Sequence, residues 1–361
     1  VNANWTSGIP NGVDAVANFG SAINTPQTIY TNIAVTVGTL RFDNASSYQV
    51  TGQGTLNIDV SSGSGSIEVT QGNHKINLPL VIKDNTTAAI AAGATLKISD
   101  PMTLMGGSTL TKSGAGTLTI EAPVTNAALA TLAVNAGVVN SLTDLGANTA
   151  LSVSGGTVNL RASQHLSNLN VSGGKVIVGP GTSVVASTAA LSVSGSGQID
   201  LQNSKIVVDY DGISPVDAVQ TAINAGSITS SMLTPDRAIG FGEATDIFGS
   251  FPASFGGQEI DADSILVAFT VMGDASLDGT VDSNDFNLLS AYYGQTNGSR
   301  WTQGDLDGNG KVNTLDFNLL AGHFGQSLPA TSTLGATVPE PAAVSLLMLG
   351  AAPLLRRRHR A

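Results

Sequence analysis

The sequence predicts a mainly β chain: a right-handed parallel β-solenoid (β-helix), then a small α+β cap, then a pair of acidic loop-helix units. Three observations support this prediction. Short cassettes of glycine followed by alternating apolar residues recur from about Phe42 to Tyr210. Two cassette spacings, 18 residues from Gly156 to Gly174 and 23 from Gly174 to Gly197, suit one turn of a solenoid. An acidic motif at 274–289 is repeated 31 residues later.

The solenoid is predicted over residues 1–205. Cassettes such as Gly93–Ile98, Gly116–Ile120 and Gly156–Leu160 alternate apolar and polar residues between turn residues, which is typical of half-buried strands. Each turn buries its inward residues only against the next, so stability accumulates by stacking. A β-sandwich is the structural alternative.

Residues 206–272 are predicted to be an α+β segment that closes the open end of the solenoid. Ser214 and Pro215 begin a helical pattern that Gly226 ends, and 264–270 reads as a strand entering the first acidic loop. A cap is expected here because an uncovered strand edge pairs with other chains.

The two acidic loops have the spacing of calcium-binding loops. Oxygens at loop positions 1, 3, 5, 7, 9 and 12 can surround one Ca²⁺ when position 6 turns sharply, and Gly279 and Gly310 stand there. Two structural calcium ions are therefore predicted, because crowded carboxylates repel one another by roughly 4 kcal/mol per pair at about 4 Å. The predicted ligands are Asp274, Ser276, Asp278, the Thr280 carbonyl, Asp282 and Asp285, and then Asp305, Asp307, Asn309, the Lys311 carbonyl, Asn313 and Asp316.

A helix is predicted after each loop, ending at Gly294 and Gly325. Each helix has an apolar stripe at positions i, i+3 and i+7, and we expect the two stripes to bury each other. The stripes are Phe286, Leu289 and Tyr293 in one helix, and Phe317, Leu320 and Phe324 in the other.

Residues 273–326 resemble the type I dockerin, a pair of calcium loop-helix units that end each loop on Asp. The resemblance implies that calcium folds the module and that a cohesin-like partner contacts residues late in each loop. The matching positions here are Ser283, Asn284, Thr314 and Leu315, of which Leu315 departs from the usual small hydroxylated pair. A second set on the helices either extends this face or serves packing: Leu288, Tyr292, Leu319 and His323.

The C-terminal tail has three ordered parts. A linker at 327–337 is followed at 338–361 by Pro339, Glu340 and Pro341, an apolar run, and a basic terminus. This order resembles a PEP-CTERM sorting signal, which implies processing by an exosortase-type transpeptidase. The apolar run is short for a membrane-spanning helix. The chain begins with Val1 rather than Met, so we expect that a signal peptide has been removed.

Two weaker resemblances concern the body of the chain. Cassettes such as 114–120 are similar to autotransporter-associated β-strand repeats. The opening of the chain, with Asn4-Trp5, 10–12 and Phe19-Gly20, is similar to that of bacterial, notably planctomycete, surface proteins. Together with the C-terminal signals, these imply a secreted protein at the cell envelope, cell surface or extracellular matrix.

Composition excludes some functions and disfavours others. The chain has 361 residues, no Cys and a net charge of −11, without a basic stripe before the tail, so thiol catalysis is excluded and nucleic-acid binding is not expected. Acidic residues in 1–205 are scattered and the four histidines are isolated, so we predict a non-enzymatic structural or adhesive protein. One alternative is an accessory component of a polysaccharide-degrading assembly that docks through the module and perhaps binds a surface polysaccharide. A weaker one is a β-helix lyase or hydrolase.

Overall fold

A computed structural model describes residues 8–181 and 183–329 of the chain. The fold is mainly β and forms a parallel β-solenoid with a helical region at its C-terminal end, as predicted, so the β-sandwich alternative is wrong. The strands of the solenoid are β1 Val16–Phe19, β2 Gln27–Thr31, β3 Val35–Val37, β4 Thr39–Asp43, β5 Tyr48–Gly52, β6 Leu56–Ile58, β7 Gly65–Gln71, β8 Asn73–Asn77, β9 Leu80–Ile82, β10 Thr86–Ile90, β11 Thr95–Ile98, β12 Met102–Leu104, β13 Thr109–Ser113, β14 Thr117–Ile120, β15 Val124–Thr125, β16 Ala130–Val134, β17 Val138–Ser141, β18 Thr149–Val153, β19 Thr157–Leu160, β20 Gln164–Leu166, β21 Asn168–Val171, β22 Lys175–Val178, β23 Val185–Thr188, β24 Leu191–Val193, β25 Gln198–Asp200 and β26 Lys205–Asp209.

Successive turns of the chain place equivalent strands side by side in parallel sheets. One sheet has nine strands in the order β1-β4-β7-β10-β13-β16-β18-β21-β24, and a second runs from β2 to β25 before a last short strand joins it. The predicted spacings of 18 and 23 residues are one turn each, because β19 pairs with β22 and β22 with β25. A third side is formed by β15-β12-β9-β6-β3.

The core is made of inward side chains stacked in register. Ile76, Ile98 and Ile120 are paired across neighbouring strands, and each is at most 1% exposed. At the N-terminal end the stack is aromatic: the rings of Phe19 and Phe42 lie 5.2 Å apart and those of Phe42 and His74 lie 4.7 Å apart. Each turn therefore closes the core of the previous one.

Glycine is required at one corner of the stack. Gly137, Gly156 and Gly174 occupy equivalent places with φ between 68° and 75°. A Cβ on Gly156 would lie 2.4 Å from the carbonyl oxygen of Gly137, and a Cβ on Gly174 would lie 2.4 Å from that of Gly156. The close approach of successive turns explains why the cassettes begin with glycine.

The side chain of Lys112 lies inside the solenoid. Lys112 is fully buried and donates hydrogen bonds from Nζ to the carbonyl oxygens of Ser113, Gly114 and Ala136 at 2.7–3.1 Å. Burial lowers the pKa of Lys112 to about 8. The ammonium group replaces the strand hydrogen bonds that are missing at this corner.

The C-terminal end of the solenoid is covered by further elements: α1 Val216–Asn224, β27 Ile228–Thr229, β28 Arg237–Glu243, α2 Ala244–Ile247, β29 Ala253–Phe255, β30 Gln258–Ile260 and β31 Ser264–Val271. β31 pairs antiparallel with β26 and β28, which changes the sheet from parallel to antiparallel. All eight residues of β31 are buried. This arrangement covers the edge of β26, the last parallel strand of its sheet.

A hairpin of this end is attached to the solenoid by a histidine that looked isolated in the sequence. His165, from β20, lies 2.6 Å from the Asp144 carboxylate through Nδ1 and 2.7 Å from Gln258 Oε1 through Nε2. The hydrogen bond to Asp144 raises the pKa of His165.

The remaining elements are α3 Ser283–Tyr292, a 3₁₀ helix Trp301–Gln303 and α4 Thr314–His323. The chain up to Leu328 forms one compact unit, and a second unit begins at Pro329, the last residue described. The domain boundaries expected at 205/206 and 272/273 stay predictions.

Candidate metal centre and docking module

The first acidic loop begins where the buried strand β31 ends, and the second follows the 3₁₀ helix Trp301–Gln303. Position 1 of the first loop, Asp274, and position 12, Asp285, are fully buried, and Asp305 and Asp316 repeat this in the second loop with at most 1% exposure. Intervening acidic residues such as Asp278 and Asp307 are exposed. Each loop therefore directs its first and last carboxylates into the protein.

Backbone conformation agrees with the predicted turn at position 6. Gly279 has φ 92° and Gly310 has φ 79°, in the region that favours glycine. Position 4 is also left-handed in both loops, where Gly308 has φ 72° and Leu277 has φ 61°. The left-handed conformation of Leu277 was not predicted from the sequence, although aligning the two loops places Leu277 opposite Gly308.

Leu277 is held in this conformation by packing. A left-handed backbone costs a residue with a Cβ roughly 1–2 kcal/mol. Leu277 is 1% exposed, and burial of a leucine side chain contributes about 1.5–3 kcal/mol. Burial therefore offsets the backbone cost at this position.

The buried carboxylates organise the loop backbone. Asp285 accepts hydrogen bonds from the amides of Ser276 and Asp282 at 2.8 and 2.7 Å. Asp274 accepts from the Gly279 amide at 2.7 Å and from the Thr270 hydroxyl. In the second loop, Asp305, the counterpart of Asp274, accepts from the Gly310 amide at 2.8 Å. The two loops thus share the same internal bonding.

The residue at loop position 9 also begins each helix. The Asp282 side chain accepts from the Asn284 amide at 2.7 Å, and the Asn313 side chain accepts from the Leu315 amide at 2.8 Å. Asp285 and Asp316 complete a capping box in each case. The loop and its following helix are therefore one local unit.

Electrostatics favour a hard cation in both loops. Burial, together with the charges of Asp285 and Asp278, raises the pKa of Asp274 to about 7. Burial and the charge of Asp316 raise the pKa of Asp305 to about 6. Carboxylates that are costly to ionise when alone become favourable as ligands of Ca²⁺, which supplies the opposing charge when bound.

The structure places all twelve predicted ligand residues in these two loops. Ligand oxygens of Asp305, Asp307 and Asp316 lie within 4.8 Å of one another, which fits a divalent cation. In the first loop, Ser276 Oγ donates to Asp274 at 3.1 Å. The assignment of individual ligands and the number of ions stay predictions.

The helix stripes differ in part from the expectation that they bury each other. Leu289 and Leu320 are buried, but Phe286 is 43% exposed and Phe317 is 39% exposed, and their rings meet edge to face at 6.3 Å. The contact between the two short helices buries only the central leucine of each stripe, and the aromatic rings on either side extend beyond this contact. Tyr293 and Phe324 are also exposed. A pocket of about 420 Å³ lies beside these rings.

Predicted partner-contact residues lie on the surface. Ser283, Asn284, Thr314 and Leu315 are all exposed, in equivalent places in the first turn of α3 and α4. By contrast, Leu288, Tyr292 and Leu319 pack against the core, and His323 lies 3.4 Å from Asp236. This second set is therefore packing within the chain.

The predicted sorting residues Pro339, Glu340 and Pro341 lie outside the described residues, as does the opening at Asn4 and Trp5. Among the helices that the structure describes, none is long and apolar enough to cross a membrane.

Comparisons with known proteins agree with the loop geometry. No curated protein and no solved structure gives a significant match to the chain. Residues 272–324, which carry both loops and both helices, match the family model of the dockerin type I domain. The helical region at the end of the solenoid is a dockerin type I region.

Proposed function

We propose that the protein is a secreted, non-enzymatic structural or adhesive protein that presents a calcium-loaded docking module at the end of a β-solenoid. One observation carries this proposal: the dockerin-type region buries the first and last carboxylates of both loops while leaving Ser283, Asn284, Thr314 and Leu315 exposed. Dockerin domains bind cohesins, so the proposed partner is a cohesin-like module. Two calcium ions, one in each loop, would hold the contact residues in place.

The surroundings of the solenoid's acidic residues support a non-enzymatic role. Asp59 lies 2.8 Å from Lys83 Nζ, Glu68 lies 3.6 Å from Arg41 Nε, and Asp200 lies 2.8 Å from Lys175 Nζ. A carboxylate that is held in an ion pair is poorly placed to act as a general acid. The pairs of Asp59 and Glu68 are partly exposed and that of Asp200 includes a buried carboxylate, and each pair joins two neighbouring turns.

The docking proposal is tested by calorimetry of the full chain against a panel of purified cohesin modules, with calcium and with chelator. We expect binding to one or more modules only with calcium. Replacing Ser283 and Asn284 by Ala, or Thr314 and Leu315 by Ala, should weaken binding by about tenfold or more. Asp211→Ala is the control, because it removes an exposed side chain away from the loops and from α3 and α4. Binding that is unchanged by both double substitutions would reject these contact residues.

A second candidate function is an accessory role in an extracellular polysaccharide-degrading assembly. The dockerin match favours it, because such a module exists to join a larger assembly. This role would be supported if the chain, purified from culture medium, carried with it a cohesin-bearing protein and polysaccharide-degrading activity. Release of products by the purified chain alone, tested on acidic and neutral polysaccharides, would instead indicate a lyase or hydrolase.

The proposed sorting signal is tested separately. Replacing Pro339, Glu340 and Pro341 by Ala should leave an unprocessed precursor in the envelope fraction, because the exosortase-type transpeptidase would no longer recognise the tail. Immunoblotting of cell fractions measures this. Normal processing of the variant would reject the sorting proposal.

A further inference from the structure

The dockerin-type region packs closely against β28, one of the strands that cover the end of the solenoid, at two glycines of that strand. The 3₁₀ helix Trp301–Gln303, which joins the two loop-helix units, packs on β28. A Cβ on Gly240 would lie 2.6 Å from Trp301 Nε1, and a Cβ on Gly242 would lie 1.8 Å from Thr302 Oγ1. Trp301 and Thr302 are both buried. This notch in β28 therefore has the shape of the segment that fills it.

Polar side chains surround this contact on three elements. Arg300 lies 3.2 Å from Asp217 of α1. Asp246 of α2 accepts hydrogen bonds from Thr302 at 2.7 Å and from Gln303 at 3.3 Å. On the other side, His323 of α4 reaches Asp236, which precedes β28, at 3.4 Å. The contact therefore combines apolar packing with polar interactions that fix its position on β28.

The first calcium loop belongs to the same contact. The indole N–H of Trp301 donates to the carbonyl oxygen of Asp274 at 2.6 Å, and the Thr270 hydroxyl of β31 donates to the Asp274 carboxylate. The side chain of the left-handed Leu277 is buried against β28, where a Cβ on Gly240 would lie 2.4 Å from Leu277 Cδ2. Its counterpart in the second loop, Gly308, has no neighbour within 4 Å of the position that a Cβ would take. The first loop is therefore shaped for this contact and the second is not.

We propose that calcium in the first loop locks an intramolecular interface between the dockerin-type region and β28, one of the strands that cover the end of the solenoid, formed by 240–242, Leu277 and 301–303. With calcium bound, the loop holds Leu277 and the Asp274 carbonyl in place against Trp301, and the interface closes over β28 and β31. Without calcium, repulsion among the loop carboxylates opens the first loop, and β28 and β31 lose their cover. The proposal depends on calcium binding but not on a docking partner.

Hydrogen exchange of the full chain, followed by mass spectrometry with calcium and with chelator, tests the interface. We expect chelation to speed exchange at least about tenfold in β28 and β31, outside the loops themselves. Amides of β7 and β10, in the middle of the solenoid, are the internal control and should not change. Faster exchange confined to 273–328 would overturn the proposal.

A pair of reciprocal substitutions separates the interface from calcium binding. Leu277→Gly suits the left-handed backbone but removes the side chain from the notch, so calcium should still bind while exchange in β28 no longer depends on it. Gly308→Leu strains the exposed second loop, so it should weaken one calcium site and leave the dependence in β28 intact. Calorimetry counts the sites in each variant. A Leu277→Gly protein in which calcium still protects β28 would overturn the proposal.

The result is distinguishable from failure of the docking function. A chain that binds no cohesin but shows calcium-dependent protection of β28 keeps this interface and loses the docking proposal. A chain that binds cohesin with exchange changes confined to 273–328 does the reverse. Calorimetry that detects no calcium binding to the chain would overturn both.

Discussion

Asp274 and Asp305 occupy position 1 of their loops, and both are buried acceptors for a glycine amide of the same loop. Asp274→Ala and Asp305→Ala should each remove one calcium site, because both the ligand oxygen and the bond that shapes the loop are lost. Isothermal titration calorimetry should show stoichiometry falling from two to one in each variant. Asp211→Ala, which changes an exposed acidic residue away from the loops, is the control. Two sites in both variants would contradict the ligand assignment.

His165 gives the solenoid a pH-dependent contact. Its pKa in the folded chain is raised, chiefly by the hydrogen bond to Asp144. The contribution of the pair to stability is therefore fully present below the unfolded pKa of about 6.5 and is lost as pH rises through the folded value.

The matching variant is His165→Gln, which keeps a polar side chain without the charge. We expect the wild type to be more stable than the variant at pH 5.5, with a difference of about 1 kcal/mol or less because the pair is partly exposed. The difference should shrink by pH 8.5. Urea unfolding at the two pH values measures it, and a difference that grows with pH would contradict the assignment.

Two individual residues show where the sequence stops being informative. Lys112 shares the inward face of β13 with Leu110, where a charged residue is unexpected, and its ammonium group donates hydrogen bonds to three carbonyl oxygens. Leu277 reads as an ordinary loop residue. Both depend on contacts with distant parts of the chain, which local pattern does not contain.

Among the elements, the glycine corner makes the clearest prediction. Gly156→Ala should destabilise the solenoid by more than the roughly 1–2 kcal/mol of a left-handed alanine, because its Cβ would also press on the Gly137 carbonyl. Gly107→Ala is the matched control, since Gly107 has φ 83° but open space around the Cβ position. Denaturant unfolding should give a larger loss for Gly156→Ala. Equal losses would show that crowding at this corner is unimportant.

The strands and loops could be predicted because their signals are local. Alternation within each cassette gives the strands, and cassette spacing gives the turn length, as β19, β22 and β25 confirm. Glycine at loop position 6 similarly gave the turn. The prediction that the helix stripes bury each other was only partly correct, because Phe286 and Phe317 are exposed. Their exposure depends on how far the two short helices overlap, and the spacing of apolar residues does not specify this overlap. The calcium ligands could be predicted from the loop spacing, whereas the docking contacts could be proposed only through the resemblance.

For the whole molecule, calcium removal should affect one end. Ligand that binds only the folded state stabilises by mass action, so chelator should lower the transition that includes the dockerin-type region and its cover on β28 and β31. The central and N-terminal turns contain no predicted calcium ligand and should unfold as before. Calorimetric melting with calcium and with chelator should therefore show one shifted and one unshifted transition. A single transition that shifts as a whole would mean that cooperativity extends through every turn.

The nine-stranded sheet also fixes the distance between the two ends of the solenoid. Neighbouring strands are about 4.8 Å apart, so the eight intervals from β1 to β24 hold the two ends of the sheet roughly 38 Å apart. Inserting or deleting one turn would change that stand-off in steps of about 5 Å without altering either end. A chain attached to a partner through the dockerin-type region would therefore hold its aromatic N-terminal turn at a fixed distance from that partner, and the number of solenoid turns would set this distance.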